Sequence, residues 1–260
     1  MNILNEKIIR ENISDKFSDI EIYIYNTIDS TNDEAKRYWK GNRKYPCLFV
    51  SEEQSGGRGR RGRSFYSPKG TGIYMSLLIR PKNGLEDSVH ITTATAVVVA
   101  ESIQRLTGKE VGIKWVNDIY FQNKKVCGIL TEAIMEPDMT GAPAVVVGIG
   151  INLSTEQFPK ELEGVATRIG AGSINLRNEL IAEITNGLLE FAENVKDCSY
   201  VDRYRKLSIV LGKEIYYSEG NTQVRARALD VDSEGGLMVE CEDGTVKILK
   251  TGEITVRLCD

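Results

Sequence analysis

Residues Gly57 to Arg63 read Gly-Arg-Gly-Arg-Arg-Gly-Arg, four guanidinium groups and three glycines in seven positions. Guanidinium forks are planar, permanently charged and shaped to grip carboxylates and phosphates through paired hydrogen bonds. Glycine lets the backbone take positive φ and approach a ligand closely. The whole chain carries a formal charge of -4, so this positive density is local. An anion relieves its self-repulsion, and the segment points to a small, multiply charged ligand. The alternative is an RGG-type nucleic-acid tail. Against it, the loop is internal, flanked by strand-like sequence and unrepeated. It is also not a Walker loop, since no Gly-Lys-Ser/Thr follows.

Three further segments carry polar groups where a ligand would need them. Ser30-Thr31-Asn32 precedes Asp33-Glu34, an N-cap pattern that needs no ligand to explain it; the same groups at a helix start would also bind a polar, uncharged moiety. In Lys114-Trp115-Val116-Asn117-Asp118 the lysine follows Ile113 in an apolar strand. It is either a surface-edge lysine or an ammonium waiting for an anion, because burying it unpaired is costly. Gly148-Ile149-Gly150-Ile151-Asn152 ends a β-branched run. Its glycines mark either a bend or a close approach to something, and Asn152 offers the donor and acceptor that a planar amide or adenine ring requires.

His90 is the single histidine. That excludes multi-histidine zinc sites, and no nucleophile signature accompanies it, so it reads as a surface or interface residue at a helix start. A reaction whose nucleophiles come with the substrates fits this inventory. The five cysteines are scattered, without a Cys-x-x-Cys pair, and read as reduced thiols of a cytoplasmic protein. No stretch approaches the roughly 20 apolar residues that cross a membrane. Asn, Glu and Lys interrupt the first ten residues, so secretion is not expected.

The elements that must position these groups follow from periodicity and turn signals. Strands are expected at 21–26, 47–51, 72–80, 111–115, 119–122, 125–135 and 144–151. Helices are expected at 34–40, 88–106 and 176–195. Gln122-Asn123-Lys124 marks a turn. After about residue 211 short strands are separated by Ser218-Glu219-Gly220, Ser233-Glu234-Gly235-Gly236 and Glu242-Asp243-Gly244. They lie at 223–231, 237–241, 246–249 and 254–258 and suggest a small β-barrel. A boundary is expected near residue 210.

Taken in order, Ser-Thr-Asn, Gln54-x-x-Gly-Arg-Gly-Arg-Arg-Gly, Lys-Trp-x-Asn-Asp and Gly-x-Gly-x-Asn closely resemble the biotin–protein ligases, the biotin–[acetyl-CoA-carboxylase] ligases. The resemblance runs from about Ile22 to the C-terminus. In the tail, Leu211-Gly212-Lys213-Glu214 resembles the opening of the family's SH3-like barrel. Ala228-Leu229-Asp230-Val231-Asp232, Gly236-Leu237-Met238-Val239 and Thr251-Gly252-Glu253-Ile254 also match its pattern.

The resemblance implies an α+β fold: a mixed β-sheet catalytic domain with flanking helices (1–210), biotin/lipoate ligase-like, plus a small C-terminal SH3-like β-barrel (211–260). It implies that ATP activates biotin to biotinyl-5′-adenylate, and that biotin passes to one lysine of a biotin carboxyl carrier domain. Ser30, Thr31, Asn32 and Gln54 would recognise biotin, mainly its ureido ring. Arg58, Gly59 and Arg60 would belong to a loop closing over biotin and adenylate, with Arg61 and Arg63 near the phosphates. Lys114 would lie between the biotin carboxylate and the α-phosphate, Asn152 would contact the nucleotide, and Mg²⁺ would accompany ATP. Lys114 and Arg60 are the expected catalytic residues.

A homodimer paired edge to edge through the main sheet is also implied. Val116 replaces the family's usual proline, and only a small local effect is expected. About twenty residues precede the first strand, too few for the winged helix-turn-helix that some members carry, so no DNA-binding role is expected. Lipoate–protein ligases are the nearest rival. The Arg/Gly loop and the C-terminal barrel favour biotin.

Overall fold

Two β-sheets organise the chain in a computed structural model that describes residues 3–42, 44–80, 88–134, 144–170, 175–193, 198–219, 222–250 and 256–258. The first contains β1 (Glu21–Tyr25), β2 (Cys47–Ser51), β3 (Gly72–Ile79), β4 (Gly112–Lys114), β5 (Asp118–Phe121), β6 (Lys124–Ile134) and β7 (Ala144–Asn152). Their order across the sheet is β1-β2-β3-β7-β6-β5-β4. Only β1 and β2 run parallel, so the sheet is mixed.

Strand alternation assigns the two faces. On one face Ile73, Met75 and Leu77 of β3 join Val145, Val147, Ile149 and Ile151 of β7 in the main core. Helices α3 (Ser88–Thr107) and α4 (Leu176–Glu193) cover that face with Ile91, Val97, Leu180 and Ile184. The opposite face is closed only in part. There α2 (Thr31–Asn42) packs Ala35 and Trp39 on Cys47, Phe49, Leu78, Ala144 and Val146. Beyond Val146 the same face of β7 continues as Gly148, Gly150 and Asn152, where α2 reaches only Gly148, through Asn32 at its first turn. The site lies over this stretch.

Most expected elements are present within a residue or two. α2 starts at Thr31 and not at Glu34, because the Ser30 carbonyl already accepts the Glu34 N–H at 3.0 Å. Two helices escape the sequence reading, α1 (Glu6–Asn12) and α5 (Ser199–Leu207). Both are short, and each buries few residues: Ile9 in α1, and Tyr200, Val201 and Tyr204 in α5. His90 meets α5 through an Nδ1–Tyr200 Oη contact of 2.8 Å, an interface role. Residues Met135, Val195, Cys259 and the Thr251–Ile254 motif lie outside the described residues.

The second sheet contains β8 (Glu214–Glu219), β9 (Thr222–Val231), β10 (Leu237–Cys241), β11 (Val246–Leu249) and β12 (Val256–Leu258), in order β11-β10-β9-β8-β12. Every pairing is antiparallel, as a small barrel of the SH3-like kind requires. β8 also escapes the sequence reading: Ser218 and Glu219, read there as turn residues, pair with β9. Ile215, Tyr217, Ala226, Leu237 and Val239 belong to the same hydrophobic cluster as the first sheet. Arg205 of α5 reinforces this junction, donating to Asp230 Oδ1 at 2.8 Å and to the Val231 carbonyl at 2.6 Å.

Candidate active site

A cavity of about 500 Å³ opens on the face of the first sheet that α2 leaves uncovered. Its floor depends on missing side chains. A Cβ at Gly148 would collide with Asn32 Oδ1, and one at Gly150 would lie 2.5 Å from the Phe65 ring. These glycines let Asn32 and Phe65 rest directly on the sheet.

One end of the cavity is a network of neutral polar groups. Ser30, Thr31 and Asn32, at the start of α2, are 1–4% exposed. Gln54 Oε1 accepts from the Thr31 N–H at 2.9 Å and lies 3.1 Å from Thr31 Oγ1, while Gln54 Nε2 donates to Ser67 Oγ at 3.0 Å. Ser76 Oγ lies 2.7 Å from Thr31 Oγ1 and 2.6 Å from Asn32 Oδ1. Asn32 Nδ2 donates to Glu132 Oε2 at 2.7 Å, and Lys36 neutralises that carboxylate at 2.6 Å. Buried networks satisfied this fully hold their members in one orientation. The result is a fixed set of donors and acceptors suited to a polar, uncharged group.

The arginines arch beside this network. Gly59 N–H donates to the Arg63 carbonyl at 2.7 Å and Phe65 N–H to the Gly57 carbonyl at 2.9 Å, so the segment is a small hairpin. Arg61 sits at its tip with φ 58°, a left-handed conformation that costs a non-glycine residue roughly 1–2 kcal/mol. Arg58 pairs with Asp33 at 2.7 Å. Arg60 reaches Asn117 Oδ1 at 2.9 Å. Burial pushes the Arg60 guanidinium below its ordinary value; Asp118 opposes this and Arg61 adds to it. The group stays cationic at neutral pH, and a partly desolvated cation binds an anion more strongly than a hydrated one does.

Lys114 ends β4, half-buried, with its Nζ 5.3 Å from the centre of the Tyr120 ring and 3.5 Å from its hydroxyl. The following Trp115–Val116 peptide is cis, although valine stands where the family has proline. Asp118 is paired with Lys125 at 2.6 Å.

The other end of the cavity is more apolar. Phe158, Leu162, Val165 and Ala166 line it. Their segment is stitched to β6 by Lys125 N–H to the Val165 carbonyl and Thr167 N–H to the Lys125 carbonyl, both 2.9 Å. Asn152 is 4% exposed, and its Oδ1 has no hydrogen-bond partner among the described residues. A buried, unmatched carbonyl costs stability unless a ligand N–H meets it. An apolar slot ending in one amide acceptor suits a flat ring with an exocyclic amino group.

Ser30, Thr31, Asn32, Gln54, Arg58, Gly59, Arg60, Arg61, Arg63, Lys114 and Asn152 all line this one cavity. The sequence reading missed Phe65, Ser67, Ser76, Glu132 and the wall at 158–166. Among the described residues no group of three or more His, Cys, Asp or Glu side chains is placed to hold a metal ion.

Cations beside a neutral polar pocket and an amide-ended apolar slot suit an enzyme that brings an anionic ligand to a polar, uncharged group and a flat ring. The chain belongs to the biotin/lipoate A/B protein ligase family, whose pattern matches residues 24–152; the biotin protein ligase C-terminal domain matches residues 210–257. The bifunctional ligase/repressor BirA of Bacillus subtilis is 32% identical over 256 residues, covering 94% of this chain and 77% of that protein. The biotin–[acetyl-CoA-carboxylase] ligase of Mycobacterium tuberculosis is 26% identical over 218 residues, covering 80% of this chain and 77% of the other. The biotin protein ligase of Aquifex aeolicus, solved in complex with biotin and ATP, superposes with a TM-score of 0.75 at 27% identity. That match covers 92% of this chain and 99% of the other.

Proposed function

We propose that this protein is an ATP-dependent biotin–[acetyl-CoA-carboxylase] ligase, with catalysis in residues 1–210 and the barrel in 211–260. In the first step a biotin carboxylate oxygen attacks the α-phosphorus of ATP. The bond to the β-phosphate breaks, and pyrophosphate leaves. In the second step the neutral Nζ amine of an acceptor lysine attacks the acyl carbon, the bond to the AMP phosphate oxygen breaks and AMP departs, and loss of a proton from the nitrogen leaves an amide. Both nucleophiles belong to the substrates, in accord with the scarcity of histidine. The protein's task is to orient the reactants and stabilise charge on the phosphate.

Ser30, Thr31, Asn32 and Gln54 hold the ureido ring of biotin. Lys114 and Arg60 neutralise charge where carboxylate and α-phosphate meet, and Arg58 and Gly59 help close the lid over both. Arg61 and Arg63 attend the phosphates, and Asn152 accepts from the adenine amino group. The observation that carries this reading is the shared cavity: its polar end, its cations and its lone Asn152 acceptor face one volume. Asp118 and Glu132 are already paired with lysines. Mg²⁺ bound with ATP would be held largely by phosphate oxygens and water and would offset charge on the phosphates.

The acceptor is a biotin carboxyl carrier domain. We further propose a cytoplasmic homodimer that does not engage DNA. β4's outer side is taken by an Ile113–Ser208 bridge, which leaves β1 as the strand to pair edge to edge. The four described cysteines are free thiols. No helix among the described residues is long and apolar enough to cross a membrane.

Isotope exchange tests the first step. Labelled pyrophosphate should enter ATP only when biotin is present. Exchange supported by lipoate and not by biotin would assign the site to the rival substrate.

A further inference from the structure

The strand end that carries Lys114 is secured by the C-terminal part of the chain. The Ile113 carbonyl accepts the Ile209 N–H at 2.9 Å. The Val116 carbonyl accepts the Tyr204 hydroxyl at 3.1 Å. Between them Trp115, 5% exposed, donates its indole N–H to the Gly235 carbonyl at 3.0 Å, a buried bond spanning 120 residues. Gly235 belongs to the turn between β9 and β10, so the second sheet reaches the residue next to Lys114.

That turn is rigidly built. Asp232 Oδ1 accepts the Glu234 and Gly236 N–H groups at 2.9 and 2.8 Å. The Asp232 N–H donates to the Gly236 carbonyl at 2.9 Å, and the Gly235 N–H donates to the Asp232 carbonyl at 3.1 Å. Gly235 takes φ 83°, which glycine adopts without steric cost. Asp232 thus fixes the direction in which the Gly235 carbonyl points. An indole N–H buried without a partner would be penalised, so the tryptophan and the turn hold each other in register.

We propose that the Asp232–Gly236 turn is a positioning element for adenylation. Acting through Gly235 and Trp115, it holds Lys114 at the reacting carboxylate and phosphate. This gives the barrel a task in the first chemical step, and it rests on the role assigned to Lys114 above. Asp232 is a positioning residue outside the cavity; Trp115, which also lines the cavity, carries its effect to Lys114 through the indole N–H that Trp115→Phe removes. A misplacement of about 1 Å can cost a catalytic group on the order of 100-fold in rate.

The test is biotin-dependent ATP–pyrophosphate exchange, normalised to active sites, in Asp232→Ala, Asp232→Asn, Trp115→Phe and Lys114→Gln. Asp232→Ala and Trp115→Phe should each lower kcat by about tenfold with the biotin KM held within about twofold. Asp232→Asn keeps an acceptor oxygen for both N–H groups and should restore the rate. If Asp232→Ala fails to fold, Trp115→Phe decides alone. Wild-type kcat in folded Asp232→Ala and Trp115→Phe, or no recovery in Asp232→Asn, would overturn the proposal. Lys114→Gln separates the two layers. Loss of exchange there with intact turn variants sinks only the positioning role, whereas full exchange in Lys114→Gln removes the Lys114 assignment as well.

Discussion

Arg60 donates to Asn117 Oδ1 at 2.9 Å, which ties the arginine–glycine hairpin to the turn just after Lys114. Asn117 is itself locked, its Nδ2 donating to the Ile129 carbonyl at 2.6 Å and its own carbonyl accepting the Ile129 N–H at 3.0 Å. The hairpin, proposed above as a lid, is therefore anchored to a fixed point beside Lys114. Hydrogen bonds to charged groups contribute about 1.5–3 kcal/mol, so Asn117→Ala should loosen the closed lid by roughly tenfold or more. Biotinyl-adenylate would then escape, and lysines on a bystander protein would become labelled. Arg60→Gly should do the same. Labelling confined to the carrier domain in both variants would argue against a lid that retains the intermediate.

Gly148 should tolerate no side chain. Its Cβ would displace Asn32, and Asn32 shares Ser76 with Thr31. Gly148→Ala is expected to raise the biotin KM by about tenfold or more, since unpaired buried polar groups cost about 1–3 kcal/mol each, while the ATP KM changes little. Titration calorimetry with biotin alone reads the effect directly.

The difference between Gly148 and Ser76 shows what the sequence could and could not disclose. Gly148 and Gly150 interrupt a β-branched run, a local anomaly visible without coordinates. Ser76 sits between Met75 and Leu77 as one small polar residue in an apolar strand, and nothing nearby marks it. Its meaning comes from register: Ser76 pairs with Gly148, and Leu130 pairs with Gly148 from the other side. Glu132 is hidden for the same reason, because its partners Asn32 and Lys36 arrive from a helix about 100 residues away. Helices α1 and α5 are only 7 and 9 residues long, too short for a pattern of a few apolar residues to stand out from the surrounding sequence. The lone basic loop, the lysine and the terminal asparagine were legible because each violates its local pattern.

Asn152→Ala should separate nucleotide from biotin. Its buried Oδ1 lacks a partner among the described residues, so removing it costs the free protein little and the nucleotide complex one hydrogen bond. The ATP KM should rise by about tenfold, near 1.4 kcal/mol, with biotin affinity unchanged. Steady-state kinetics at saturating biotin gives the answer. An unchanged ATP KM would place the adenine elsewhere.

Acid stability should report on Glu21. The Tyr38 hydroxyl, then the Tyr23 hydroxyl and then Lys44 hold its carboxylate below the ordinary range, at about 2. The unfolded chain titrates this group near ~4.3. A carboxylate with a depressed folded value stabilises the fold above the unfolded value, and that contribution fades as pH falls through the folded one. The Tm gap between wild type and Glu21→Gln should be constant above about pH 5 and close between about pH 4 and 2. A gap that persists unchanged at pH 2 would mean that Glu21 acts through packing and not through its charge.

The most direct measurement mixes the protein with biotin, ATP·Mg²⁺ and a biotin carboxyl carrier domain, and follows the carrier by mass spectrometry. One biotinyl group should appear on a single carrier lysine, with AMP and pyrophosphate released in equal amounts. No modification with biotin, or modification only when lipoate replaces it, would contradict the assignment of this cavity to biotin transfer.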